Sequence, residues 1–223
     1  MPMRTAARLC PQGIIVPPRF TRYREMSGRV MDIFRDLTEL IEPLSLDEAY
    51  LDITDAVDAE QGQWPLTIAL DLKKRIADET GLTLSVGVST SKSVSKIASD
   101  LDKPDGLVIV APGDEVTFLE PLPVGKLFGI GPKTAERMRA QGVETIGQLA
   151  AQPLDWFARN FGQRAGSIRD KALGQDGEAV HTERETKSVS SETTFPGDQG
   201  DEAELRGILE RLAQGVAGSL ERK

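Results

Sequence analysis

Two adjacent carboxylates, Asp47 and Glu48, lie within the run Leu44-Ser45-Leu46-Asp47-Glu48-Ala49-Tyr50-Leu51-Asp52-Ile53. Two like charges about 4 Å apart repel by roughly 4 kcal/mol at an effective dielectric of 20. A pair held beside a core strand therefore calls for neutralisation, and a hard divalent cation with oxygen ligands suits it. The same pair also fits a solvated loop corner. Asp52, Asp55 and Asp58 follow, and they fit a strand face and a solvated loop better than a metal cluster. A second chemical feature is Phe128-Gly129-Ile130-Gly131-Pro132-Lys133-Thr134. Glycines at Gly129 and Gly131 permit a tight turn and close backbone approach. The amides opening the helix after them favour an anion. Lys133 stands beside them, with Lys126, Arg137 and Arg139 near. A nucleic-acid phosphate suits that nest and would carry no base information; an ordinary turn between helices is the plainer alternative. The third feature is basic: Lys92, Lys96 and Lys103. Lys103, on a turn after a helix, reaches a triphosphate only if the fold brings it near the acidic pair; otherwise these lysines are a solvated helix face.

Those side chains need elements to hold them. Ala49, Leu51 and Ile53 alternate with Tyr50, Asp52 and Thr54, which predicts a strand with one buried face. Pro43 and Ser45 suggest a turn at its start. Before it, Tyr23, Met26, Val30, Ile33, Phe34, Leu37 and Ile41 recur at helical spacing. A short helix over Met3 to Leu9 precedes them and is broken by Pro11, Gly13, Pro17 and Pro18. Leu66, Ala69, Leu70, Lys73, Ile76 and Ala77 mark another helix, ended by Gly81. Leu82 to Ser89 alternates as a strand, Ser91 is placed to cap a helix through Leu101, and Leu107 to Val110 is a short buried strand after the turn Lys103-Pro104-Asp105-Gly106. This alternation predicts an α/β layer. Beyond Pro121-Leu122-Pro123 the texture is helical: Val124 to Phe128, Thr134 to Gln141 stopped by Gly142, Thr145 to Ala151, and Asp155 to Phe161. Thr186 to Thr194 alternates like a strand, and Leu205, Ile208, Leu209, Leu212, Val216 and Leu220 form one long amphipathic stripe.

Composition narrows the classes. The 223 residues allow one or two domains, and 39% hydrophobic with 28% charged residues is ordinary for a globular chain. Cys10 is the only cysteine, so no internal disulfide forms, and a cytoplasmic setting is expected. No apolar run reaches the roughly 20 residues of a membrane span. His181 is the single histidine and lies in a polar stretch, which disfavours a zinc site. The formal net charge of -8 means that any nucleic-acid contact must use local basic patches.

Several of these motifs together resemble the Y-family DNA polymerases. Glu42 to Asp52 is similar to their palm motif. Lys96-Ile97-Ala98-Ser99-Asp100 with Asp102-Lys103-Pro104-Asp105-Gly106 is similar to their second palm motif. Phe128-Gly129-Ile130-Gly131 resembles their thumb hairpin, and Lys187-Ser188-Val189-Ser190-Ser191-Glu192-Thr193 the entry to their little finger. The resemblance implies an α/β (α+β) palm with a ferredoxin-like sheet, an all-α thumb with a helix-hairpin-helix, and the start of an α+β little-finger domain. The expected boundaries are residues 1–18 for a remnant of the fingers, 19–112 for the catalytic palm, 113–182 for the thumb and 183–223 for an incomplete little finger. It further implies error-prone, template-directed translesion synthesis by nucleotidyl transfer with two Mg²⁺ ions. In that scheme Asp47 is a metal ligand and Glu48 the adjacent catalytic carboxylate and ligand. Lys103 holds the incoming deoxynucleoside triphosphate, and Gly129, Gly131 and Lys133 grip the DNA backbone. Primer-template DNA is the implied partner, bound by a monomer. The family's sliding-clamp partner is reached through a tail that this sequence lacks.

The sequence departs from the family pattern. A first strand with a further metal-binding aspartate does not precede Met1, and the little finger stops after one strand and one helix. Thr90, Ser91, Ser93 and Ser95 stand where relatives often carry other residues. The expectation is a family member truncated at both ends, with little or no polymerase activity alone. A non-catalytic DNA-binding module working through the glycine hairpin is the rival reading. A metal-dependent nuclease is disfavoured because no further carboxylate cluster completes a site.

Overall fold

The structure, a computed structural model, describes residues 1–58, 60–183 and 185–221. Its elements run α1 (Met3–Leu9), α2 (Phe20–Arg35), β1 (Ile41–Pro43), β2 (Ala49–Leu51), α3 (Pro65–Thr80), β3 (Val86–Val88), α4 (Lys92–Leu101), β4 (Leu107–Ile109), α5 (Glu115–Leu119), α6 (Pro132–Arg139), α7 (Ile146–Ala150), α8 (Leu154–Phe161), α9 (Ala165–Ala172) and α10 (Glu202–Leu220). The chain divides into two compact units, Met1–Thr182 and Glu183–Lys223. Among the described residues no helix is long and apolar enough to cross a membrane.

In the first unit the strands form two separate pairs. β1 and β2 are antiparallel, with Glu42 opposite Tyr50; β3 and β4 are parallel, with Gly87 opposite Val108. The expected single sheet is thus present as two two-stranded pieces. The predicted helix through Ile41 ends instead at Arg35, and Ile41 opens β1, where its side chain is buried with Ile33, Phe34 and Ile76. Periodicity alone could not separate these cases, because an apolar residue six past the helix end still falls on the stripe. The long alternating runs after Glu48 and Leu82 shrink to three-residue strands, and all three β2 residues are half-buried, so β2 has no cleanly dry face.

Local signals set several helix ends, those at Gly81 and Ser91 as expected. Gly81 takes a left-handed φ of 71° at the end of α3. Ser91 Oγ accepts the Val94 amide at the start of α4. Thr145 and Gln148 close a capping box on α7. The predicted helix at Val124 to Phe128 is only a single 3₁₀ turn, Val124–Lys126. α9 has little sequence signal: after Gly162 the stretch Ala165 to Ala172 offers only Ile168 and Ala172 as buried positions.

Two apolar clusters organise the unit. The smaller joins α2, β1 and α3. The larger begins on α4 with Val94, Ile97 and Ala98, and continues through Leu119, Leu127, Ile130, Met138, Ile146 and Phe157 of the helical segment. By packing, α4 therefore faces the helices that follow it. Its backbone also lies directly on β3: a Cβ added at Gly87 would sit 2.0 Å from Ser95 O and 2.5 Å from the Ser99 amide. In the second unit, Thr186 to Thr194 forms no strand, correcting the alternation argument. α10 forms over the predicted stripe, but none of its residues is buried.

Candidate active site and nucleic-acid interface

The acidic corner is the turn between β1 and β2. Leu44 and Ser45 amides both bond back to Glu48 O, which closes the turn with Asp47 inside it and Glu48 at its foot beside β2. Ser45 Oγ donates to Asp47 Oδ1 at 2.6 Å and receives the Asp47 amide at 3.3 Å. Asp47 is thereby aimed by its own turn while staying exposed. Glu48 is engaged from across the fold: Lys96 Nζ lies 2.6 Å from its Oε1.

That contact comes from the packing of α4. With Val94, Ile97 and Ala98 turned into the core, Lys92, Lys96 and Asp100 recur every four residues along another face. Lys96 also lies 3.4 Å from Asp100 Oδ2, and Asp100 Oδ1 lies 2.5 Å from Lys103 Nζ. The structure therefore brings Glu48 and Lys103, 55 positions apart in sequence, into one line of alternating charge through Lys96 and Asp100. Burial works against the Lys96 charge, but its hydrogen bond to Glu48 and the field of Asp100 outweigh it and raise its pKa above the usual lysine value. Burial likewise opposes the Asp100 charge, and the Lys103 and Lys96 ammoniums outweigh it to hold that carboxyl below its ordinary value.

The turn that carries Lys103 is itself pinned. Lys73 Nζ on α3 donates to Leu84 O at 2.5 Å, Asp105 Oδ1 at 2.5 Å and Asp105 O at 2.8 Å. Gly106 is required there, since a Cβ would fall 2.2 Å from Asp102 O. Lys73 reads in sequence as one more position on a helix stripe; nothing local signals that it reaches a turn 32 residues on.

Lys92 has a different role. Its ammonium lies 2.7 Å from Glu42 Oε2, 3.0 Å from Ala179 O and 5.4 Å from the Tyr50 ring centre. The His181 amide adds a bond to the same Glu42 oxygen at 2.9 Å. Lys92 is thus a structural hub tying residues 179–181 to β1, and the single histidine contributes its backbone there. Burial, with Asp176 and Glu42 nearby, pushes the Tyr50 phenol up to about 12, so it stays neutral.

Among the described residues no group of three or more histidines, cysteines or acids is placed to hold a metal. Asp52 spends its Oδ1 on the Thr54 amide and hydroxyl, and Asp58 on the Glu60 and Gln61 amides. The donor set at the corner is two carboxylates. That fits Mg²⁺, which commonly takes one or two carboxylates and completes its shell with water and phosphate oxygens.

The glycine hairpin forms a second surface. Leu127 and Ile130 point into the helical core, leaving the glycines outward. Gly129 has φ 94°, a conformation reserved for glycine. Gly131, the residue before α6, has φ -77° and no atom within 4 Å of a built Cβ. Its missing side chain is therefore unexplained by the fold and leaves a bare approach to the amides of α6. Among the described residues no side chain caps that end; Pro132 has no N–H, so the amides of Lys133 and Thr134 are the ones open to an outside acceptor. Lys133 stands in that first turn, whereas Arg137 is turned away to Asn160 O at 2.9 Å.

Comparison with known proteins gives a consistent picture. Residues 1–100 match the impB/mucB/samB family, residues 112–143 the IMS family HHH motif, and residues 186–223 the impB/mucB/samB family C-terminal domain. A DNA polymerase IV of Alkalilimnicola ehrlichii is 45% identical over 223 residues, covering all of this chain and 62% of the relative. DNA polymerase IV 1 of Bacillus subtilis is 39% identical over 225 residues, covering all of this chain and 54% of that protein. The chain thus spans a little over half the length of the relatives it matches. Among solved structures, DinB from Sulfolobus solfataricus aligns with a TM-score of 0.74 at 30% identity, over 82% of this chain and 53% of that one. An insertion ternary complex of Dbh DNA polymerase aligns at 0.72 and 30% identity, over 81% and 52%.

Proposed function

Because the chain belongs to the impB/mucB/samB family of Y-family DNA polymerases, we propose that it carries the catalytic palm and the DNA-gripping thumb of a translesion DNA polymerase. The observation that carries this reading is the line Glu48–Lys96–Asp100–Lys103, which joins the acidic corner to the lysine suited to a triphosphate. Residues 19–112 act as palm, 113–182 as thumb, and 183–223 open the little finger; residues 1–18 belong to the fingers. The substrates are primer-template DNA and deoxynucleoside triphosphates. The polymerase IV relatives and the ternary complex of Dbh DNA polymerase support this choice.

Asp47 and Glu48 would hold divalent magnesium. When bound, such ions stabilise the attacking and leaving oxygens of an in-line displacement at phosphorus. The rest falls to the chain's own groups. Ser45 fixes the Asp47 carboxylate through its 2.6 Å hydrogen bond. Lys103 offers a half-exposed ammonium to the triphosphate. Gly129, Gly131 and Lys133 present backbone amides and one positive charge to a DNA phosphate, which holds the duplex without reading sequence.

Primer extension with Mg²⁺ tests the reading. Two carboxylates bind the ion weakly, so the chain alone should extend primers slowly or not at all. Any extension it does support should vanish in Asp47→Ala while DNA affinity stays nearly intact. Mg²⁺-dependent extension that survives Asp47→Ala would overturn the assignment of the acidic corner. The non-catalytic DNA-binding alternative predicts hairpin-dependent DNA affinity with no Mg²⁺-dependent extension, even when the chain is joined to the further segments of a relative.

A further inference from the structure

Lys96 has no place in the roles assigned above. It is neither a metal ligand nor free to meet a phosphate: its side chain is 20% exposed and its ammonium contacts Glu48 and Asp100. The four charged groups alternate in sign, so each ammonium lies between or beside carboxylates. A cation that takes Glu48 as a ligand claims the carboxylate that Lys96 now holds. Two cations at contact distance on one carboxylate repel strongly where water is partly excluded. α4 cannot retreat, because Val94, Ile97 and Ala98 are buried on its other side and Gly87 meets its backbone. Lys96 can therefore yield only by swinging its side chain. Asp100, one turn on, is the acceptor already within 3.4 Å. A full ammonium delivered to Asp100 weakens that carboxylate's hold on Lys103, its other partner at 2.5 Å.

We propose that Lys96 is a displaceable internal counter-ion: a divalent cation arriving at Asp47 and Glu48 drives it from Glu48 to Asp100, and Lys103 is released toward the triphosphate. Lys96 is a positioning residue in this scheme, acting on substrate only through Lys103. The inference rests on the metal reading of the acidic pair. It gives that pair a balancing charge before the ion binds, and it couples the metal site to the phosphate-binding lysine.

Mn²⁺ binding to the 223-residue chain, followed by loss of the free ion's paramagnetic resonance signal, tests it without any activity readout. Lys96→Met, which keeps the apolar stem, should bind Mn²⁺ on the order of ten-fold tighter than the wild type. Lys96→Arg should restore the wild-type affinity, and circular dichroism should show both variants folded. Asp47→Ala is the reference. If it leaves Mn²⁺ binding unchanged, the metal reading falls and the proposal falls with it. If Asp47→Ala weakens binding but Lys96→Met does not strengthen it, the proposal alone is overturned. A measurement on the unmutated chain guards against misfolding: in ¹⁵N-lysine spectra titrated with Mg²⁺, the Lys96 and Lys103 ammonium signals should move with one midpoint. A Lys103 signal that stays still while Lys96 moves would refute the release step.

Discussion

Lys92 and Glu42 show how one partly buried pair sets a pH response. Burial disfavours the Glu42 charge, but Lys92 and the His181 amide outweigh it and hold the carboxyl below its ordinary 4.5. Burial also disfavours the Lys92 charge, and Glu42 with Glu178 outweighs it to raise the ammonium above 10.5. A carboxyl with a depressed folded pKa contributes stability above its unfolded pKa and loses it as pH falls through the folded value. A lysine with a raised folded pKa contributes below its unfolded pKa and loses it as pH rises through the folded value. The pair's contribution is therefore level between those two ordinary values and falls away outside them. Urea unfolding should find Glu42→Gln less stable at neutrality, with the gap to wild type closing as pH falls below 4.5. Lys92→Met should cost about 2 kcal/mol at neutrality, less than the roughly 3–5 of a fully buried pair, because Glu42 keeps some water. Ser93 makes the opposite case. Its hydroxyl is buried with no hydrogen-bond partner among the described residues, so Ser93→Ala should raise stability by about 1 kcal/mol; a loss in the same denaturation assay would mean the hydroxyl is satisfied after all.

At the scale of elements, two glycine sites separate packing from function. Gly87 lets α4 rest on β3, and a methyl there meets backbone rather than a yielding side chain. Gly87→Ala should cost about 2–3 kcal/mol and, by shifting α4, should also disturb the Lys96 and Lys103 signals. The hairpin is different. Gly129→Ala strains a φ of 94° and should destabilise by about 1–2 kcal/mol. Gly131→Ala meets open space and should cost less than about 1 kcal/mol. If the hairpin grips phosphate, Gly131→Ala should still weaken duplex binding about ten-fold, equally for unrelated sequences. Fluorescence anisotropy on two duplexes checks both halves, and a folded Gly131→Ala with unchanged affinity would remove the hairpin from the interface.

Across the whole molecule, protection should be uneven. The first unit has two buried clusters, whereas no residue of α10 is buried. Hydrogen exchange should therefore find α6 to α9 slowest and α10 among the fastest helices, because local opening costs little where few apolar contacts are lost. The uneven core also bears on how the chain divides. Sequence texture changes at Pro112 and Pro121, yet α4, which precedes that change, packs with the helices that follow. Composition marks where strands give way to helices, but a core is shared wherever apolar faces meet.

The sequence by itself determined the local pieces: the caps at Ser91 and Thr145, the glycine stop at Gly81, the helices α3, α6 and α8, and the motifs that mark the family. Each depends on residues within a turn or two of one another. The tertiary structure alone decided that Ile41 leaves the helix for a strand, that Thr186 to Thr194 forms no strand, and that Lys96 and Asp100 link Glu48 to Lys103. A charge on a helix looks solvated in sequence because its spacing is the same whether it faces water or a carboxylate 48 positions away. Only the burial of the opposite face of α4 fixes which way Lys96 points.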